Sequence, residues 1–197
     1  MNTDRLKEIM AHAEVLFKPE WSLLRDKHEE HLRHARFRAL KTGNSAAMFP
    51  AEAACCVAHA KALVVAKANC IATAYTSFHE AAGREADAEL STFFATVVAA
   101  RKASFAGHGR LVHMRTGRST SQVSHLLRGF ERDANVALLE GRRILDKQRI
   151  EMKNKQHQTV PQNIYNAHGP NARITINGTD NSSNIAVVGS VEDTLSN

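Results

Sequence analysis

The side chains best suited by type to do chemistry are the eleven histidines, and the densest group is His28, His31 and His34. Steps of three along a helix spread them over an arc of about 120°. Two could share a metal ion, but three would converge only with distorted geometry, and no cysteine is near to complete a zinc set. The reading is a solvated polar face and no metal. A helix-bundle di-iron centre needs Glu-x-x-His on two helices, and no histidine here has Glu three residues before it. His28-Glu29-Glu30-His31 is one residue too short for the metalloprotease pattern.

The glycine-rich stretch from Gly107-His108-Gly109-Arg110 to Thr116-Gly117-Arg118-Ser119-Thr120 fails as a nucleotide loop. Val112 stands where a Walker loop has its first glycine, and Arg118 replaces the lysine. A looser property survives: hydroxyls, backbone amides at a helix start, and Arg115 and Arg118 form a composition able to receive a phosphate. His113 and His125 lie near serines, yet no nucleophile elbow or spaced aspartate supports a triad. The three cysteines, Cys55, Cys56 and Cys70, all fall in one apolar segment and read as small buried hydrophobes in a reducing compartment. No catalytic residue, metal or cofactor is expected.

Charge is local. The net charge is +6, but residues 1–90 are balanced at twelve cations and twelve anions, whereas residues 91–155 carry thirteen cations and five anions. No acid occurs between Leu90 and Phe130. Arg110, Arg115, Arg118, Arg142, Arg143 and Lys147 are therefore the candidate contacts to phosphate or nucleic acid, through salt-sensitive, sequence-independent binding. Phe105 and Phe130 both fall on core stripes, so base stacking on single strands is not expected.

These residues must be positioned by helices. Leu6, Ile9, Met10, Ala13, Leu16 and Phe17 recur at helical spacing, and Pro19 punctuates the run. A second helix carries Trp21, Leu24, His28, Leu32 and Ala35 as its inner stripe and ends near Thr42-Gly43-Asn44. Pro50 opens an Ala-rich helix that runs to about Ala82-Gly83. Its apolar run from Ala51 to Tyr75 is interrupted by His59, Lys61 and Lys67, so it reads as a buried helix and not as a membrane anchor. A fourth helix ends at Ala106, and the glycines of residues 107–118 break or bend the pattern. The last helix spans about Ser121 to Asn154. Val123, Leu127, Phe130, Ala134, Leu138, Gly141, Leu145 and Met152 lie along it at 3/4 spacing, Gln148 is a polar break, and Gly141 marks a close crossing.

Near Val160 the period changes. Asn163–Asn166, Ala172–Asn177 and Asn184–Val188 alternate apolar and polar residues between turn formers, as short strands do. Burial of Ile164, Tyr165, Ile174, Ile176, Ile185 and Val187 within a lone tail stabilises less than ordering that tail costs. The strands therefore find other apolar surface, on the helical body or on further copies of the chain, or the tail stays largely disordered.

The sequence thus predicts a mainly α protein: an antiparallel bundle of about five helices over 1–158 ending in a long basic helix, then an Asn/Ser/Gly-rich β-tail over 159–197. The polar N-terminus lacks an apolar leader, which points to the cytoplasm. The expected function is that of a non-enzymatic bacterial or phage protein. It self-associates, or docks to a protein partner, through the six apolar tail residues. Nucleic-acid binding by the basic 101–155 region is the alternative, and no membrane partner is expected.

Overall fold

The computed structural model describes residues 3–41, 47–116, 121–158, 162–165 and 174–177. It is mainly helical, with four helices among the described residues: α1 (Thr3–Lys41), α2 (Met48–Ser77), α3 (Arg84–Thr116) and α4 (Ser121–Gln158). The backbone divides into two units, Met1–Asn154 and Lys155–Asn197.

The first unit is an up-down-up-down bundle. Cross-helix contacts fix the directions: Glu14 and His28 of α1 meet Lys67 and His59 of α2, Lys67 and Glu52 of α2 meet Glu89 and His108 of α3, and Asp87 and Lys102 of α3 meet Arg149 and Glu131 of α4. All four helices contribute to one core. Ile9, Ala13, Val64, Ala68, Ile71, Tyr75, Leu90, Ala137 and Leu145 pack together, and a second cluster around Phe49, Phe105, Val123 and Phe130 closes the other end. Each fully buried Leu, Ile, Val or Phe contributes roughly 1.5–3 kcal/mol. Among the described residues α2 is the one helix long and apolar enough to cross a membrane. In the bundle it is the central helix, and its buried residues run from Phe49 to Tyr75.

Three boundaries differ from the sequence expectation. The helices expected on either side of Pro19 are one, α1. A proline inside a helix removes the hydrogen bond to the carbonyl four residues back, here Val15. Val15 and Pro19 both face solvent, so water can take that carbonyl, while Ile9, Ala13, Phe17 and His28 hold one continuous buried face. Among the described residues the count is therefore four helices. The expected break after Ala106 is absent, because α3 runs through both glycines to Thr116. Gly109 supplies clearance instead of a turn: a Cβ there would lie 2.8 Å from Val123 Cγ2 of α4. Finally, α2 stops at Ser77, short of Ala82-Gly83. The Glu80 amide donates to the Tyr75 carbonyl and the His79 amide to the Thr76 carbonyl, with His79 at φ 57°. That is a Schellman termination with His in the left-handed position glycine usually fills.

α4 packs as its spacing requires. Val123, Phe130, Ala134, Gly141, Leu145, Gln148 and Met152 are all buried. A Cβ on Gly141 would lie 2.9 Å from Leu90 Cδ2 and 3.3 Å from the Ala68 Cβ, so the close crossing is real. Gln148 is no defect in the seam. Its Oε1 accepts the Ala82 amide and its Nε2 donates to the Glu80 carbonyl, both at 2.8 Å, which ties α4 to the turn between α2 and α3.

In the second unit, Gln162–Tyr165 (β1) and Ile174–Asn177 (β2) pair antiparallel, with Asn163 opposite Ile176 and Tyr165 opposite Ile174. The rest of 159–197, including Asn184–Val188, lies outside the described residues.

Candidate functional site

The buried polar residues of α2 share one face. Glu52, His59 and Lys67 are seven and eight residues apart, about two turns each. Each is met by α1 and by α3, so three polar layers cross the bundle.

In the first layer the Glu52 carboxylate is 2% exposed and pairs with the Arg36 guanidinium of α1. Its other oxygen accepts from His108 Nδ1 of α3 at 2.6 Å. The Phe49 ring stands edge-on to that imidazole. A carboxylate that fixes an imidazole is half of an acid–base relay, and the other half is an activated nucleophile. Cys56 lies one turn along α2, but burial pushes its thiol up to about 11. It is a neutral thiol at ordinary pH, and the Glu52 contacts tie α1, α2 and α3 to one another.

In the second layer His28 and His59 stack face to face, with centroids 4.2 Å apart and planes 16° from parallel. Both are buried. His28 Nδ1, both nitrogens of His59 and the nearby Arg101 Nε have no protein hydrogen-bond partner among the described residues. Burial first, and then the positive field of Arg101, lowers His28 to about 4. His59 falls to about 3, by burial, its neighbour His28 and Arg101. Stacked rings hold their in-plane lone pairs in two nearly parallel planes, which is poor geometry for sharing an ion.

In the third layer the Lys67 ammonium sits beside the edge-to-face pair of Phe17 and Phe93, 5.2 and 5.3 Å from their centroids. There it pairs with Glu14 of α1 and Glu89 of α3. Both carboxylates reach the rim of the bundle, at 52% and 38% exposed.

The His28, His31 and His34 group is split by the bundle: His28 is buried against α2 while His31 and His34 are exposed. Among the described residues no group of three His, Cys, Asp or Glu side chains is placed to hold a metal ion. Cys70 is buried, and burial raises its thiol as well.

Among the described side chains, the basic candidates fall at two separate levels of the bundle. Arg110 is exposed on α3, while Arg142 donates to Ser91 near the start of that helix. At 1.5 Å per residue the two levels lie roughly 28 Å apart. Arg143 and Lys147 are exposed on α4, with Lys147 3.8 Å from Glu151. Arg115 is within α3, and Arg118 lies outside the described residues. Some of the excess charge is used internally. Lys102 pairs with Glu131, and Arg149 donates to the Ala82 and Gly83 carbonyls at 2.6 and 3.0 Å. Ile164 and Tyr165 belong to β1, Ile174 and Ile176 to β2, and Ile185 and Val187 lie outside the described residues.

Glu52, Arg36, His108 and Lys67 were not marked as a site by sequence spacing alone. The available signal was the two-turn period of Glu52, His59 and Lys67, each set among small apolar residues. Compared with known proteins, the chain matches no family model, no curated protein and no solved structure.

Proposed function

We propose that this is a non-enzymatic helical protein that associates with further copies of itself through its C-terminal segment, residues 159–197. The observation that carries the reading is the antiparallel pairing of two four-residue segments, Gln162–Tyr165 and Ile174–Asn177, in a register that opposes Tyr165 to Ile174. A two-stranded ladder of that length is marginal in water by itself, and each of its edges offers unpaired backbone groups to another strand. Residues two apart share a face and Tyr165 stands opposite Ile174, so Tyr165, Ile174 and Ile176 are placed on one face of the ladder. Equivalent segments of other copies supply both cover and edges, with Ile164, Ile185 and Val187 as the remaining apolar contributors.

The buried polar layers fit a holding role for the bundle, since they tie three helices to one another. Light scattering tests the reading on the full chain, on Ile174→Asn/Ile176→Asn, and on a chain ending at Gln158. The mass should fall to that of a smaller species in both variants, and an unchanged mass overturns the proposal.

A second reading is favoured by the acid-free stretch between Leu90 and Phe130 and by exposed Arg110, Arg142 and Arg143: non-specific contact with a nucleic-acid backbone. Fluorescence anisotropy with random-sequence DNA and RNA at two salt concentrations decides it. Binding that weakens steeply with salt supports this reading, and absence of binding removes it.

A further inference from the structure

α4 carries two stripes on opposite sides. The inner one, from Val123 to Met152, is consumed by the bundle. The outer one consists of Val136, Leu139, Arg143, Asp146 and Ile150, and its three apolar members are 57%, 57% and 59% exposed. Arg143 and Asp146 are exposed between them. The spacing 3, 4, 3, 4 is that of alternating a and d positions in a coiled coil. At 100° per residue, the five residues fall within an arc of about 80°.

Single exposed apolar residues are ordinary on a protein surface. Here the order of charges along the stripe singles out a partner. Arg143 precedes Asp146, so a copy of the same helix running the opposite way presents Asp146 to Arg143 and Arg143 to Asp146. A parallel copy would oppose like charges at both positions.

We propose that α4 packs antiparallel against α4 of a second copy of this chain, about a two-fold axis midway between Ile144 and Leu145. In this register Leu139 faces Ile150 of the second copy, and Arg143 faces Asp146 of the second copy. Each pair occurs twice by symmetry. Val136 is covered by the aliphatic stem of Lys153 from the second copy. On one flank Glu140 faces Lys147 of the second copy. On the other, Arg142 approaches Arg149 of the second copy, whose charge is already met by Asp87 and Asp146 of its own chain. The interface uses no tail residue and stands independently of the function proposed above.

The test uses the full chain. Leu139→Cys and Ile150→Cys are prepared as separate proteins and oxidised alone and as an equimolar mixture. In the proposed register residue 139 of one copy lies opposite 150 of the other, within disulfide reach. Residue 139 is displaced from its own equivalent by eleven residues, roughly 16 Å. The mixture should give a cross-linked dimer above the background of the unaltered chain, and neither protein alone should do so. Absence of the mixed cross-link, or equal cross-linking of either protein alone, overturns the proposal.

A second pair keeps the proposal falsifiable if cysteine perturbs the helix. Arg143→Asp and Asp146→Arg each place like charges in opposition, so each alone should weaken α4 pairing by roughly tenfold or more, whereas the mixture restores both opposite-charge contacts across the interface. Pairing read by sedimentation that does not recover on mixing counts against the model. Assembly through the tail alone forms no 139–150 bond, so the two proposals fail separately.

Discussion

The Lys67 layer and the His28–His59 layer lie about two turns apart on the same face of α2, and they handle the cost of burying a titratable group in opposite ways. Lys67 brings its ammonium to two carboxylates that are themselves partly exposed, and the same ammonium sits over the Phe17 and Phe93 rings. The histidines receive no counter-charge. Arg101 of α3 acts on both, with His31 and Arg36 of α1 adding at His28, and every one of these fields disfavours a further proton. The pair therefore stays neutral and gains its contact from ring stacking. Where neighbouring helices supply opposite charge, the group pairs; where they supply like charge, it gives up its own.

The largest effect expected from breaking this contrast is at Lys67. Lys67→Ala deletes a fully buried side chain and leaves a cavity, with an expected loss of about 3 kcal/mol in urea unfolding. Lys67→Met retains most of the volume and removes the charge. Glu14 and Glu89 can then turn to water, so Lys67→Met should stay within about 1 kcal/mol of the parent. If Met loses as much as Ala, the ion pairs and not the packed stem hold the layer.

Acid should act on the other layer. Both histidines titrate near 6.5 when unfolded and well below that when folded, so between those limits the unfolded chain binds more protons. Their stabilising contribution is complete above about pH 6.5 and is lost as pH falls toward 4 and 3. The slope is at most about 1.4 kcal/mol per pH unit for each histidine. Two such groups give a loss of about 2 kcal/mol between pH 6 and pH 5, measurable as a falling urea midpoint. A midpoint that is flat across this interval would show that the pair is protonated, or open to water, in the folded state.

Why the contrast escapes a reading of the sequence is visible residue by residue. The apolar period correctly marks the inner faces of α1 and α4, and it places His28 on the buried stripe of α1, because that information is local to each helix. Nothing local says that the exposed side of Pro19 lets α1 continue, or that Gly109 serves contact with Val123 fourteen residues away. The polar layers are more distant still. Glu14 and Lys67, His28 and His59, and Arg36 and Glu52 are joined only once α1 folds back on α2, so composition shows each as an interruption of an apolar run. The two-turn recurrence on α2 reveals a shared face, but the identity of the partner depends on which residues α1 and α3 bring to it.

The smallest expected effect sharpens the comparison most. His59 is buried with two ring nitrogens that find no protein partner among the described residues, and an unpaired buried polar atom costs about 1–3 kcal/mol. Leucine has a similar volume and no polar atom. His59→Leu gives up the stacking contact with His28 while removing both uncompensated nitrogens. These opposing terms leave stability at neutral pH unchanged or raised by about 1 kcal/mol. The acid response must change regardless of how they balance. With one titrating group gone, the slope between pH 6 and pH 5 should fall to about half that of the parent. Measuring both proteins across that interval separates packing from protonation: a shifted curve with an unaltered slope would mean that His59 is not among the groups that take up protons on unfolding.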